Sequence, residues 1–508
     1  MEITLWYIIL SAIFILILKY FLANTQKPNN KPPSPPSLPL IGHLHLVKEP
    51  LHRNLQALSE KYGNILQLQL GFRKVLLVDS PSAVEECFTR NDIVFATRPF
   101  TLATKHFSYD FTTISVAPYG DHWRNLRRLA ALEIFSTARI SMFEKVRTKE
   151  LMILLSELFR NSKLDGGSTK VDLNSKFTEI VFNVLSMTIA GKRYYGENVV
   201  DARKVRFIMR EMVEYSGNRN LGDLFPFLQW VDFQGLEKRF ASLMAKIDKF
   251  IQDLINERRE IVFKDKVSGG RSELSEKTMI DQLLVLQENE PEYYTDKLIK
   301  GITLVLLVAG ADTMSVTMEW AMSLLLNHPD KIKKIKAEID AHVPEDRLIN
   351  EQDLPKLNYL QNAITETLRL YPPLPFLIPH EASDDCRVGG YDVSKGTMLL
   401  VNLWSIHRNP RLWEDPDKFM PERHEFKEDG LFMMPFGAGR RKCPGGGLST
   451  RVIGLTLGAL IQCFEWERVG DELVDMTENT GFSIPKVEPL VAMCKPRDVV
   501  TKYSLIVA

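Results

Sequence analysis

The hydrophobic and polar positions fall into five kinds of pattern. From Ile3 to Leu18 no charge interrupts an apolar run, which resumes after Lys19 and continues to Ala23. At 1.5 Å per residue, about 20 residues cross the ~30 Å hydrocarbon core, so this run is just long enough to span a membrane. From Leu66 to Leu70 the pattern alternates with period two, Gly71 interrupts it, and Val75 to Val78 follows, which predicts a β-hairpin. After Pro329, residues 330–340 carry apolar side chains on one side and charges on the other, the mark of a surface helix with a solvated face. Gly301 to Asp312 is apolar on every side and predicts a buried helix, although small residues and a carboxylate sit within it. Residues 264–278 are polar and contain Gly269-Gly270, which reads as a surface loop between helices or as a domain boundary. Together these patterns predict a large, mainly α protein with small β-sheets, without internal repeats, behind one N-terminal membrane helix.

The N-terminal run also has to be read against a cleaved signal peptide and a core helix. Glu2 stands where a signal peptide carries positive charge, and no small-x-small cleavage site follows Ala23. Against a core helix, the run is apolar on every face and sits at a terminus. Lys19, Lys27 and Lys31 lie after most of the run, so the positive-inside rule puts the rest of the chain in the cytoplasm. The run Pro32-Pro33-Ser34-Pro35-Pro36-Ser37-Leu38-Pro39 cannot continue the helix and predicts a semi-rigid spacer. The expected division is an anchor over 1–23, a hinge over 24–39 and one catalytic domain over 40–508.

Composition narrows the function. The chain has 508 residues, 45% hydrophobic and 25% charged, which excludes disorder as its main state. Lys+Arg 64 cancels Asp+Glu 64, so the overall field gives no case for a nucleic-acid partner. Five scattered cysteines without a C-x-x-C pair argue against a disulfide framework, a zinc site and a c-type haem attachment. No G-x-G-x-x-G follows a strand, so the chain has no evident nicotinamide site of its own.

The most specific stretch is Pro435-Phe436-Gly437-Ala438-Gly439-Arg440-Arg441-Lys442-Cys443-Pro444-Gly445. Positive charge and oriented amides lower a thiol's pKa, and the thiolate is the metal-binding form. By itself this could be a Gly/Arg turn with an incidental cysteine. It resembles, however, the haem-binding signature F-x-x-G-x-R-x-C-x-G of the cytochrome P450 family, with Phe436, Gly439, Arg441, Cys443 and Gly445 at the fixed positions. The resemblance implies the cytochrome P450 fold, haem b as cofactor, and Cys443 as the axial thiolate on its iron, a ligand that favours O–O cleavage.

Three other stretches resemble the same family. Glu366-Thr367-Leu368-Arg369 is similar to its E-x-x-R helix, and Pro421-Glu422-Arg423-His424 to its P-E-R-F element, whose arginine joins the pair. His424 stands where the family usually has Phe, which weakens the packing analogy but leaves the charge triad Glu366, Arg369 and Arg423. Gly301 to Thr313 is similar to the oxygen-binding A-G-x-D/E-T segment, in which Gly310 and Ala311 would leave room over the haem and Asp312 and Thr313 would relay protons to dioxygen. Close helix packing at Ala309-Gly310-Ala311 is the other reading of those small residues. Met314 departs from the usual second hydroxyl. Trp123-Arg124-Asn125-Leu126-Arg127 is similar to the W-x-x-x-R helix, so that Trp123 and Arg127 would grip a haem propionate, with Arg441, His380 and Arg98 as further propionate partners.

Trp404 to Pro410 and Gly447 through Trp466 look like the plant microsomal A-type group, closest to the isoflavone and indole-glucosinolate hydroxylase-like family. That resemblance implies an endoplasmic-reticulum monooxygenase facing the cytoplasm, with electrons from NADPH through a cytochrome P450 reductase. Arg124, Arg128, Arg440 and Lys442 would attract the reductase. The expected substrate is a small hydrophobic plant specialised metabolite, either hydroxylated or oxidatively cyclised. Its pocket would be lined by the stretch after Arg98 to Val116, Val305 to Thr313, Leu374 to Ile378 and Gly481 to Ile484, with Leu306, Phe376 and Phe482 prominent. A haem-thiolate isomerase or dehydratase that does not use dioxygen, and a non-enzymatic haem-binding membrane protein, are the alternatives.

Overall fold

The computed structural model describes residues 30–196, 220–230, 232, 234–267, 277–425 and 432–503, with residues 7, 11, 208, 211, 212, 214 and 215 besides. The predicted anchor, apart from residues 7 and 11, and the first part of the hinge lie outside the described residues.

The longer helices, in chain order, are α1 (Leu51–Tyr62), α2 (Pro81–Phe88), α3 (Asp121–Leu129), α4 (Glu144–Leu164), α5 (Leu173–Ala190), α6 (Leu236–Val267), α7 (Met279–Asn289), α8 (Asp296–Asn327), α9 (Pro329–His342), α10 (Asn358–Leu370) and α11 (Gly446–Cys463). The strands are β1 (Ile65–Leu70), β2 (Arg73–Val78), β3 (Thr169–Asp172), β4 (His380–Glu381), β5 (Cys386–Val388), β6 (Tyr391–Val393), β7 (Met398–Val401), β8 (Phe464–Arg468) and β9 (Val491–Pro496). They form a four-stranded sheet in the order β1-β2-β7-β4, a three-stranded sheet β3-β9-β8 and the pair β5-β6. The expected hairpin is β1-β2, antiparallel with Leu66 opposite Leu77 and Leu68 opposite Val75; all four side chains are buried. Alternation therefore marked the buried face correctly.

The all-round apolar pattern at Gly301–Asp312 lies in α8, which Thr295 caps by accepting from the Leu298 amide. Among the described residues α8 is the one helix long and apolar enough to cross a membrane. Burial accounts for that apolarity: Leu304, Leu307, Met318, Trp320 and Met322 are enclosed by neighbouring helices. The helix after Pro329 is α9, with Ile332, Ile335 and Ile339 buried and its charges outward. One boundary differs from expectation. The polar stretch 264–278 does not begin as a loop, because α6 continues to Val267, where Lys266 pairs with Glu288 of α7 at 2.7 Å.

The proline segment also behaves differently from a free spacer. Its described part is docked on the sheet: the Gln67 amide donates to the Pro33 carbonyl at 2.9 Å, and the His43 ring binds the Pro35 carbonyl at 2.8 Å. Three apolar clusters complete the architecture: a large one among the helices, a smaller one around β2, β7 and α2, and a third between α1 and the β1-β2 hairpin. Residues of the first two line a cavity beside Cys443.

Candidate active site

The loop that carries Cys443 is built by tight turns. The Gly437 amide donates to the Met434 carbonyl and the Cys443 amide to the Phe436 carbonyl, at 2.9 and 2.8 Å. Gly439 has φ +64°, and a Cβ there would strike the Asp92 carboxylate, so both conformation and space demand glycine. Asp92 in turn accepts from the Arg440 amide at 3.0 Å and pairs with its guanidinium at 3.1 Å. Cys443 lies just before α11, on the cavity wall. Burial pushes its thiol pKa up. The Gly445 amide, Arg127, the Gly446 amide and Lys442 oppose that rise by favouring the thiolate.

Beside it stands a wall of positive charge. Arg98 is buried and donates to the carbonyls of Ile378, Pro379 and Ser115. Arg441 donates to the carbonyls of Ala96 (2.6 Å), Ile114 (3.2 Å) and Ala117 (2.5 Å), and its guanidinium lies 4.5 Å from the centre of the Trp123 ring. The guanidinium of Arg127, one turn beyond Trp123 on α3, makes no hydrogen bond to the protein among the described residues. Burial, then repulsion from Arg441, lowers the Arg98 pKa to about 9; burial, then repulsion from Arg127, lowers that of Arg441 to about 10. No carboxylate pairs with any of the three among the described residues, and all three line the cavity.

Two expected donors are already committed. The Trp123 indole N–H donates to the Ile114 carbonyl at 3.1 Å, so the indole supplies a ring face for Arg441 rather than a free donor. Burial, then the charge of Arg98, holds His380 well below its ordinary pKa, which makes its ring neutral. Its Nδ1–H donates to the Phe95 carbonyl at 2.6 Å, so Nε2 offers only a lone pair. The guanidiniums therefore remain as the cavity's cationic donors.

Thr313 of α8 lines the same cavity and donates its hydroxyl to the Ala309 carbonyl at 2.7 Å. Asp312 is not on the cavity wall. It meets Ser483, and burial raises its pKa while that hydrogen bond lowers it. The small residues divide as well. Gly310 lines the cavity as expected, and because a Cβ there would lie 2.9 Å from a Leu185 methyl its smallness also lets α5 and α8 pack closely; Ala311 packs into the helical cluster instead of lining the cavity.

The cavity measures about 320 Å³. Val305, Leu306, Leu374, Phe376, Leu377 and Ile378 line it as expected, and of the stretch from 99 to 116 only Ile114 and Ser115 do. Gly481 to Ile484 do not line it: Phe482 is 43% exposed and Ile484 is buried, with its carbonyl accepting from the Trp320 indole at 2.9 Å.

The charge triad assembles on α10. Arg369 grips Glu366 through two hydrogen bonds of 2.8 and 2.9 Å, and Arg423 adds one of 2.9 Å. Both members of the α10 pair are fully buried, so they are not a surface ion pair. The remaining Arg369 N–H groups donate to the carbonyls of His407, Pro416 and Lys418. His424, which sequence reasoning treated only as a departure, binds Glu366 as well, at 2.9 Å. Trp413, under the Arg369 guanidinium at 5.0 Å, and Ser483 were also missed, since neither has a local signal in the chain. Of the four surface cations, Arg124 and Arg440 lie over the same Tyr119 ring, at 5.6 and 5.7 Å, and Arg128 and Lys442 are exposed.

A flat group carrying two carboxylates and a soft metal fits this chemistry. Three uncompensated guanidiniums await anions, and the cavity-facing sulfur has amides and positive charge directed at it.

Comparison with known proteins agrees. The family model described as Cytochrome P450 matches residues 32–493. Cytochrome P450 81Q32 of Catharanthus roseus is 52% identical over 503 residues, covering 98% of each chain. Isoflavone 2'-hydroxylase of Glycyrrhiza echinata is 45% identical over 504 residues, covering 98% of this chain and 97% of its own. A zebra fish cytochrome P450 solved with progesterone superposes with a TM-score of 0.75 at 25% identity, covering 89% of this chain and 100% of its own.

Proposed function

The chain belongs to the cytochrome P450 family, whose members carry haem b with a cysteine thiolate on the iron, and from that premise we propose that it hydroxylates a small, flat, lipophilic plant specialised metabolite, with electrons from NADPH delivered by a membrane-bound flavin reductase. The enzyme is an oxidoreductase of the monooxygenase type, similar to plant A-type members. The observation that carries the reading is one cavity shared by the Cys443 sulfur, three uncompensated arginines, the Thr313 hydroxyl and an apolar wall. An isoflavone or a related aromatic compound is the favoured guest, because Phe376 and Leu306 offer flat and branched apolar surface and a 45% identical relative carries the name isoflavone 2'-hydroxylase.

In this assignment Cys443 ligates the iron, and the amides of Gly445 and Gly446, directed at its sulfur, favour the thiolate against the effect of burial. Arg98, Arg127 and Arg441 hold the propionates, with Trp123 supporting Arg441. Bound there, haem supplies the activation of dioxygen that inserts one oxygen atom into the substrate. Thr313 presents a hydroxyl on the cavity wall and can exchange its partner, the Ala309 carbonyl, for a polar group inside. Asp312, the residue before it and off the cavity wall, bonds Ser483, and burial raises its pKa. In this reading the two residues share the passage of protons inward. Phe376, Leu306 and Val305 exclude water and orient the guest.

Arg124, Arg128, Arg440 and Lys442 form the reductase-facing surface. Charge there acts mainly on the rate of encounter. A membrane-associated state at the endoplasmic reticulum, with the domain on the cytoplasmic side, has two supports. One is the 3–23 run. The other is an apolar face where Leu38, Leu40, Phe72, Phe227 and Trp230 are exposed, Trp230 at 91%.

The test is a reconstituted assay with reductase, NADPH and a panel of isoflavones and other aromatic metabolites. The expected result is a monohydroxylated product that requires NADPH and dioxygen. Conversion without either would overturn the reading in favour of an isomerase or dehydratase.

A further inference from the structure

One carboxylate in this fold receives five hydrogen bonds, and one of them comes from His424, the residue that departs from the P-E-R-F pattern. Oε1 of Glu366 accepts from Arg369 Nη2 (2.9 Å), the Met420 amide (3.0 Å) and Arg423 Nε (2.9 Å). Oε2 accepts from Arg369 Nε (2.8 Å) and from His424 Nε2 (2.9 Å). A carboxylate can only accept, so Nε2 carries the proton in this contact. The His424 side chain is 3% exposed, and its ring meets the edge of Trp413 at 6.1 Å. We propose that His424 is a positioning residue for the Cys443 loop: its N–H completes the donor set of Glu366 and so fixes the segment from which the chain returns to the cysteine.

The route from His424 to Cys443 consists of contacts already described and two more. Met420, Arg423 and His424 tie residues 420–424 to α10 through the single Glu366 carboxylate. Trp413, which His424 touches, packs its ring against Phe432 at 5.4 Å. Phe432 stands two residues before Met434, whose amide donates to His407 Nε2 at 3.3 Å and whose carbonyl anchors the Gly437 turn. Arg369 binds the His407 carbonyl at 2.6 Å, which closes the circuit back to Glu366. Phe at this position, as in the P-E-R-F pattern, fills the space but brings no donor. Oε2 would then keep only one side-chain partner, Arg369, and the 420–424 segment would lose one of its three ties to Glu366.

The inference rests on Cys443 being the thiolate ligand, and the test keeps the two ideas apart. Full-length wild type, His424→Phe, His424→Gln and Cys443→Ser are loaded with haem. Three properties are followed: release of haem to apomyoglobin, the thiolate signature of the reduced carbon monoxide complex on mild warming, and the far-UV circular dichroism. His424→Phe is expected to release haem about tenfold faster, the scale of one hydrogen bond to a charged group, and to lose the thiolate signature earlier with unchanged circular dichroism. His424→Gln, whose amide restores a donor, is expected to stay within about twofold of wild type, again by the worth of that bond. Wild-type behaviour of His424→Phe, or His424→Gln as fast as His424→Phe, would overturn the proposal. Should His424→Phe not fold, His424→Gln decides alone: wild-type rates support the donor role and faster release overturns it. A thiolate signature surviving in Cys443→Ser would instead remove the ligand assignment.

Discussion

At Glu366 one buried carboxylate takes five donors from four residues, whereas at Arg98, Arg127 and Arg441 three cations share one cavity wall with no carboxylate among the described residues. The first arrangement is closed: its charge is matched within the chain, and burial, which alone would raise the Glu366 pKa, is outweighed by hydrogen bonds from Arg369 and His424, so that it is held at about 2. The second is open, and burial together with mutual repulsion depresses its pKa values. A buried charge cluster balanced from within holds the fold together, and one left unbalanced marks where a ligand of opposite charge belongs.

Several substitutions sharpen or break that contrast. The largest effect is expected for Cys443→Ser, which should abolish both the thiolate signature and turnover; the reduced carbon monoxide spectrum and product assay check it. Next, Glu366→Gln leaves two buried guanidiniums without their anion and should cost about 3–5 kcal/mol of stability, read by chemical denaturation. Acid probes the same group without mutation. The depressed Glu366 pKa stabilises the fold fully above the ordinary value of 4.5, and that contribution, about 3 kcal/mol, should be lost as pH falls from 4.5 towards 2. Denaturation midpoints across that window measure it, and Glu366→Gln should flatten the dependence.

On the open side the sign differs. Arg127→Gln should weaken haem binding about tenfold, by the loss of one charge-assisted hydrogen bond, yet leave the melting temperature of the haem-free chain unchanged or slightly raised. A fall in haem-free stability equal to that of Glu366→Gln would erase the distinction between the two clusters. Smallest of all, Phe482→Ala should leave product selectivity unchanged, because the ring points away from the cavity and is 43% exposed. A changed product profile would return Gly481 to Ile484 to the pocket.

Much of this was legible before any coordinates. Period-two alternation gave β1-β2, and the all-round apolar stretch lay within α8, because each records a burial pattern that repeats along neighbouring residues. The family resemblance of separate motifs likewise implied that Cys443, Arg441, Arg127 and Thr313 serve one site, and all four line one cavity. What the sequence alone determined was therefore the chemistry of short segments and the family to which they belong. Only the tertiary structure decided which long-range partners those segments meet: Ser483 on Asp312, Leu185 in the space beside Gly310, the committed N–H groups of Trp123 and His380, and His424 as a further donor to Glu366. Such contacts join residues from nine to hundreds of positions apart, and hydrogen-bond partnership depends on distances of a few ångströms that no local pattern encodes.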